Sequence, residues 1–219
     1  MSNVIDPIKY LHRRGMMVVL SSPSGAGKSS LAKEILQRNH KMALSISVTT
    51  RTPRPNEVDG KDYHFITEDK FESLRESGDL LEWAKVFGNY YGTLKKPVTQ
   101  SLENAQDVMF DIDWQGTQQI SQNMEERVVS IFILPPSINE LERRLQKRAG
   151  DSEGVIKYRM AQAASEISHW AEYDYVIVNK DFEESLVAMQ SIINAERLKR
   201  SRQIGLSSFI KSLTEEQLD

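Results

Sequence analysis

The stretch "MMVVLSSPSGAGKSS", Met16 to Ser30, restricts the possible folds more than any other part of the chain. "MMVVLSS" reads as a strand buried on both faces, and "KSSLAKEILQRN" after it reads as a helix. Between them lies "SSPSGAGKSS", close to the pattern of a glycine, four residues and then Gly-Lys-Ser/Thr. Gly25 and Gly27 let the backbone curl until successive N–H groups face one anion. The helix that follows adds its positive N-terminal end. Lys28 is then placed for the β- and γ-phosphates of a nucleotide, and the Ser29 hydroxyl for Mg²⁺. Ser22 stands where the pattern has its first glycine. It closes the strand rather than the anion nest, so it reads as a tolerated change.

Other apolar runs repeat the scheme. "DVMFDID" (Asp107 to Asp113), "VVSIFIL" (Val128 to Leu134) and "YDYVIVN" (Tyr173 to Asn179) read as further buried strands. Helical patterns follow them, "SINELERRLQKRA" most clearly. The alternation predicts an α/β fold: a phosphate-loop core whose mostly parallel sheet is covered by helices on both faces. Ligands then belong at the carboxyl ends of the strands. The core is expected over 1–43, 98–136 and 160–205, and a C-terminal tail over 206–219.

Composition excludes several classes. A net charge of -3 over 219 residues gives no global bias toward nucleic acid or anionic membrane. Cysteine is absent, which rules out disulfides and thiolate chemistry and suits a reducing compartment, so a cytoplasmic protein is expected. Met1 to Gly15 has no continuous apolar core, so no signal peptide is expected. The apolar runs are too short to span a bilayer.

Two stretches interrupt the alternation. The first, 44–97, lacks a strong buried strand-helix signal; "KDYHFIT" and "LLEWAKVFGNYYGT" look like half-buried strands of a small mixed sheet. The second, 137–159, carries clustered arginines and reads as a helical lid. Gly60, Gly78, Gly150 and Gly154 are hinge candidates. A GTPase pattern is also present in part. "DWQG" (Asp113 to Gly116) and "NKD" (Asn179 to Asp181) resemble guanine-nucleotide signatures, but Phe182 stands where the second needs aspartate. Asp111 and Asp113, ending a buried strand beside the loop, can bind magnesium waters or a substrate hydroxyl. They can equally cap the helix that starts near Gly116.

The first insertion carries the acceptor chemistry. Arg51 and Arg54, stiffened by Pro53 between them, suit a doubly charged phosphate monoester. Tyr63 and Tyr91 can add phenolic hydrogen bonds. The Glu82 carboxylate can accept from both N1–H and N2–H₂ of guanine, which adenine cannot match. Ser47 and Thr93 could complete the readout. Any one of these has an ordinary surface or packing explanation; the set is what is unusual.

"SSPSGAGKSS", "SVTTRTPRPNEVDGKDYHF", "LLEWAKVFGNYYGT", "FDIDWQG", "IFILPPS" and "VIVN" together, in this order, resemble the guanylate kinase family over about Met16 to Arg200. "TTRTPRPNEVDGKDYHF" is the most specific part. The resemblance implies ATP-dependent phosphorylation of GMP, and of dGMP, to the diphosphate, with Mg²⁺ as cofactor. ATP would lie on Ser22, Pro23, Ser24, Gly25, Ala26, Gly27, Lys28, Ser29 and Ser30, with Asn179 at its adenine end. Mg²⁺ would sit on Ser29, with Asp111 acting through water. Ser47, Glu82 and Thr93 would contact guanine, and Asp113 would lie near the GMP pocket. Arg51, Arg54, Tyr63 and Tyr91 would hold the GMP phosphate. The lid arginines would be Arg144, Arg148 and Arg159, the first two sharing a helix face. A catalytically silent module that binds partner proteins in the GMP cleft is the rival; the complete loop and lid argue against it.

Overall fold

The computed structural model describes residues 11–55, 57–86, 88–147 and 153–215. In chain order the strands are β1 (His12–Arg13), β2 (Met17–Ser21), β3 (Met42–Leu44), β4 (Val48–Thr49), β5 (His64–Phe65), β6 (Leu80–Val86), β7 (Asn89–Leu94), β8 (Asp107–Asp111), β9 (Val128–Leu134), β10 (Tyr175–Val178) and β11 (Gln203–Ile204). The helices are α1 (Lys28–Arg38), α2 (Glu68–Glu76), α3 (Lys95–Glu103), α4 (Trp114–Met124), α5 (Ile138–Gln146), α6 (Glu153–Ser168), α7 (Phe182–Leu198) and α8 (Leu206–Glu215).

The central sheet has five parallel strands in the order β10-β9-β2-β8-β3. The run "MMVVL" is apolar throughout because both of its faces are covered. Met16, Val18 and Leu20 pack with Leu31, Ile35, Met189 and Ile193 from α1 and α7. Met17 and Val19 pack on the other face with Val98, Leu102 and Ile120 from α3 and α4. Each such fully buried side chain contributes about 1.5–3 kcal/mol of transfer free energy. From β2 the chain runs through α1 to β3 at one edge, and from β9 it runs to β10 at the other, so the direction of connection reverses beside β2. The crevice this opens at the carboxyl ends is where a ligand of an open α/β sheet binds. The phosphate loop follows β2 into that crevice.

Three features differ from the sequence expectation. "YDYVIVN" is an edge strand, not a fully buried one: Val176 and Val178 are 40% and 55% exposed. β3, a three-residue strand, closes the opposite edge. Within 44–97 there is a helix, α2, capped by Thr67 Oγ1 accepting from Lys70 N. Its segment "EDKFESLRE" buries one residue, Phe71, so it carries almost no apolar period.

The second sheet is mixed, in the order β5-β4-β7-β6, with β4 and β5 parallel and the other pairs antiparallel. Phe71 stacks on Tyr90 of β7 at 5.0 Å between ring centroids. Gln119 of α4 fastens this sheet to the core. Its amide oxygen accepts from Trp83 N at 3.1 Å, and its amide nitrogen donates to Trp83 O at 2.7 Å. That pair of bonds satisfies the β6 edge as a neighbouring strand would. β1 pairs antiparallel with β11 in a two-stranded ribbon. Beneath it Asp107, fully buried, pairs with Arg13 and Arg197 and accepts from Met16 N at 3.1 Å. Among the described residues no helix is long and apolar enough to cross a membrane.

Candidate active site

The loop after β2 is shaped by its glycines. Gly25 and Gly27 have φ of 96° and 103°, a region that side chains disfavour. Ala105 is the one non-glycine residue with positive φ among those described, so Ser22 occupies an ordinary conformation. Its hydroxyl donates to Pro23 O at 3.0 Å. The Ser22 position therefore does not need glycine. Ser22→Gly is expected to change the KM for ATP by less than about tenfold, roughly 1.4 kcal/mol; steady-state kinetics over an ATP series checks this.

Asn179 and Arg144 brace the loop from below. Asn179 was expected at the adenine end of ATP. It is buried, and its amide nitrogen donates to Ala26 O at 2.7 Å while its amide oxygen accepts from Ser185 Oγ at 3.1 Å. Arg144 donates to Ala26 O at 3.1 Å and to Asn179 O at 3.0 Å. Glu140, one turn back on α5, holds Arg144 Nε at 2.8 Å. Arg159, on α6, donates to Ser24 Oγ at 2.6 Å. Arg144 and Arg159 thus reach the loop from two separate helices. Arg148 and Gly150 lie outside the described residues.

Lys28 begins α1. It pairs with Asp111 and donates to Ile112 O at 3.1 Å. Ser29 Oγ donates to Asp111 Oδ2 at 2.8 Å. Burial pushes the Asp111 carboxyl up, but the Lys28 charge and the bonds from Lys28 and Ser29 outweigh it and hold it below its ordinary value. A hydroxyl and an ionised carboxylate side by side are the oxygen donors Mg²⁺ prefers. Among the described residues no cluster of three or more His, Cys, Asp or Glu could hold a metal alone. The pair therefore fits a cation that keeps waters and phosphate oxygens as its other ligands.

Asp113, two residues on, caps α4 by accepting from Gly116 N at 3.0 Å. Asp181 similarly accepts from Glu184 N at 2.9 Å and caps α7. The GTPase-like letters at these places are thus strand ends and helix caps.

Two cavities open on either side of this centre. One, about 550 Å³, lies along the loop and is lined by Gly25, Gly27, Ser29, Ser30, Arg144 and Glu166, among others. The other, about 300 Å³, is lined by Ser47, Tyr63, Glu82, Tyr91 and Ile112, among others. Ser24, Lys28, Asp111 and Asp113 belong to both. They form a shared wall.

Glu82 lies on β6 with only 5% exposure. Thr93, opposite it on β7, donates to Oε1 at 2.6 Å. On its other side a Cβ at position 116 would meet Oε2 at 2.7 Å, so Gly116 is what lets the carboxylate approach the first turn of α4. Burial pushes the Glu82 carboxyl up to about 7; the Thr93 bond opposes this and nearby Asp113 adds to it.

Neither Arg51 nor Arg54 lines this second cavity; Arg51 reaches it through Tyr63, which does. Arg51 contacts both oxygens of Glu57, at 2.8 and 3.0 Å, and its guanidinium lies 5.4 Å from the Tyr63 ring centre. Tyr63 in turn meets Tyr91 edge-on. The Arg54 backbone N–H donates to Glu57 Oε2 at 2.7 Å, and its side chain is exposed. Glu57 thus ties both arginines into one turn. Sequence reasoning missed Glu57, Gln119 and Glu166; only Glu57 had a local signal, a carboxylate three residues after Arg54.

A parallel sheet, a glycine loop opening at its switch point and two cavities sharing that loop define an α/β nucleotide-binding protein of the phosphate-loop class. Comparison with known proteins narrows the class. The guanylate kinase family model matches residues 14–196. The chain is 54% identical over 208 residues to a guanylate kinase of Paramagnetospirillum magneticum, covering 95% of this chain and 97% of that protein. It is 55% identical over 203 residues to one of Nitrobacter winogradskyi, covering 93% of each. A crystal structure of guanylate kinase from Anaplasma phagocytophilum superposes with a TM-score of 0.78 at 39% identity, covering 93% of this chain and 97% of that one. The chain belongs to the guanylate kinase family.

Proposed function

We propose that the protein transfers the terminal phosphoryl group of ATP to GMP, and also to dGMP, giving ADP and the nucleoside diphosphate. The shared wall of the two cavities carries this reading. Ser24, Lys28, Asp111 and Asp113 face both spaces, so a donor on the loop side and an acceptor on the Glu82 side would meet there. A hydrolase needs only the first cavity.

In this reading ATP lies along Ser22 to Ser30, with Lys28 on its outer phosphates. Asn179 serves ATP through the loop, by fixing Ala26. Ser29 and Asp111 are the side chains that would hold Mg²⁺, Asp111 through water. The cation supplies charge neutralisation on the phosphates. Glu82 accepts from guanine, with Thr93 orienting it and Ser47 beside it. Asp113 lies near the GMP pocket. Arg51, Arg54, Tyr63 and Tyr91 hold the GMP phosphate, whose oxygen attacks in line. Arg144, Arg148 and Arg159 neutralise charge spreading over the transferred group. Positioning and electrostatics supply the rate, and no protein base is required. The units that do this are the core, an acceptor domain over 44–97 and a lid over 137–159. A chain without cysteine suits the cytoplasm.

Arg51→Ala is expected to raise the KM for GMP by about ten- to a hundredfold, the worth of a charge-assisted phosphate contact, with the KM for ATP little changed. The reading itself is tested with MgATP and GMP, AMP, CMP or UMP in turn. GDP formation with GMP alone supports it. No turnover with GMP favours the silent binding module and sinks the enzyme.

A further inference from the structure

The phosphate loop is held by a carboxylate that the proposed transfer chemistry does not use. Glu166 Oε2 accepts from Ser24 N at 3.1 Å, and Glu166 lines the loop-side cavity with Lys28 and Arg144. An N–H of such a loop suits a phosphate oxygen, and a carboxylate offers it an anionic oxygen acceptor of the same kind. Seven residues earlier on α6, on the same helix face, Arg159 holds the hydroxyl of the same Ser24. Two opposite charges from one helix therefore clasp one loop residue.

The foot of α6 is itself anchored. Just past its end, His169 stacks on Trp114 of α4 at 3.7 Å between ring centroids, nearly coplanar at 9°. Glu172 accepts from Gln118 of α4 at 2.7 Å. Glu166 lies one turn before this anchor, so its backbone is fixed close to the loop. Its carboxylate can leave Ser24 by rotating its own side chain.

We propose that Glu166 is a phosphate-mimicking latch: it occupies the Ser24 N–H in the nucleotide-free protein, and the terminal phosphate of the donor displaces it. Ser24 belongs to the wall between the cavities, so the phosphoryl group nearest to it is the one to be transferred. The latch thus opposes the γ-phosphate and leaves the α- and β-phosphates alone. It makes donor binding discriminate between a triphosphate and a diphosphate, by like-charge repulsion against the third phosphate. It also keeps the loop shaped while empty. Burial raises the Glu166 carboxyl from its ordinary value, opposed by Ser24, Lys28 and Arg159 and reinforced by Asp113, in keeping with a carboxylate crowded into an anion site. Glu166 acts as a positioning and specificity residue, not a catalytic one.

This inference rests on the donor reading of the loop, and the test separates the two. Binding of the magnesium complexes of ADP and of the non-hydrolysable ATP analogue AMP-PNP is measured by calorimetry without GMP, for the wild type, Glu166→Gln and Glu166→Ala. Both variants are expected to bind AMP-PNP about fivefold or more tightly than the wild type, with ADP changed less than about twofold. A merely structural contact would give the opposite sign, weaker binding of both nucleotides. Unchanged AMP-PNP affinity, weaker affinity, or an equal gain for ADP overturns the latch while leaving the donor reading intact. If the wild type binds neither nucleotide, the donor reading falls and the latch falls with it.

Discussion

Lys28→Ala is expected to lower kcat by about a thousandfold or more while the protein stays folded. The ammonium sits where both cavities meet, and among the described residues it is the cation that lines both, in position to follow charge from the donor to the acceptor side. Removing it also releases Asp111, which loses its ion pair but keeps the Ser29 hydroxyl at 2.8 Å. The Asp111 carboxyl then rises toward the carboxylate range. Because that side chain is 29% exposed, water replaces much of what Lys28 supplied. The stability cost is therefore expected to stay near about 1 kcal/mol. Circular dichroism and thermal melting check the fold, and single-turnover kinetics checks the chemistry. Near-normal turnover in a folded variant would take Lys28 out of the mechanism.

Glu82→Gln is expected to have two effects of opposite sign. Use of GMP should fall by at least about a hundredfold in kcat/KM, because an amide offers guanine one acceptor and one unwanted donor in place of two acceptors. ATP binding should hold. If ATP affinity fell while GMP handling survived, the guanine assignment would be wrong. The second effect is on stability. The Glu82 carboxyl is raised from 4.5 to about 7 by burial. The folded state therefore holds its proton more tightly than the unfolded chain. Stability falls as pH rises from about 4.5 to about 7 and is flat above, by up to about 3 kcal/mol at about 1.4 kcal/mol per unit. The glutamine variant escapes this penalty and should melt higher than the wild type at pH 8. Affinity runs the other way, because guanine needs the ionised form. Between pH 8 and 6 the wild-type KM for GMP should rise by about tenfold relative to that of the variant, which cancels the titration of GMP itself.

Much of this was legible in the sequence because local chemistry left little choice. "MMVVL" could only be a strand covered on both faces. The loop's glycines mark positions of positive φ. Arg51, Pro53 and Arg54 are the letters that raise the expectation of an anion site, whereas the Glu57 carboxylate that holds Arg51 was not foreseen. The illegible parts depend on distance along the chain. Nothing in "QGTQQIS" says that Gln119 clasps Trp83, 36 residues away. Nothing near Glu166 points to Ser24, 142 residues away. Nothing near Asn179 points to its bond with Ala26, 153 residues away, because a strand-end asparagine can face a ligand or turn under a loop with equal ease. α2 escaped notice because a helix that buries one phenylalanine has no period to read. The edge position of β10 is set by strand order, which the alternation of elements leaves open. Ser22 is the instructive case: a departure from a motif can be judged only once the backbone angle at that position is known.

The central claim is that the two cavities exchange one phosphoryl group across the wall formed by Ser24, Lys28, Asp111 and Asp113. The most direct measurement follows the label from γ-³²P-ATP in the presence of Mg²⁺ and GMP. The label is expected in GDP, in step with ADP production, and none in inorganic phosphate beyond the background seen without protein. Label released as inorganic phosphate at a rate indifferent to GMP, or retained in ATP, would contradict it.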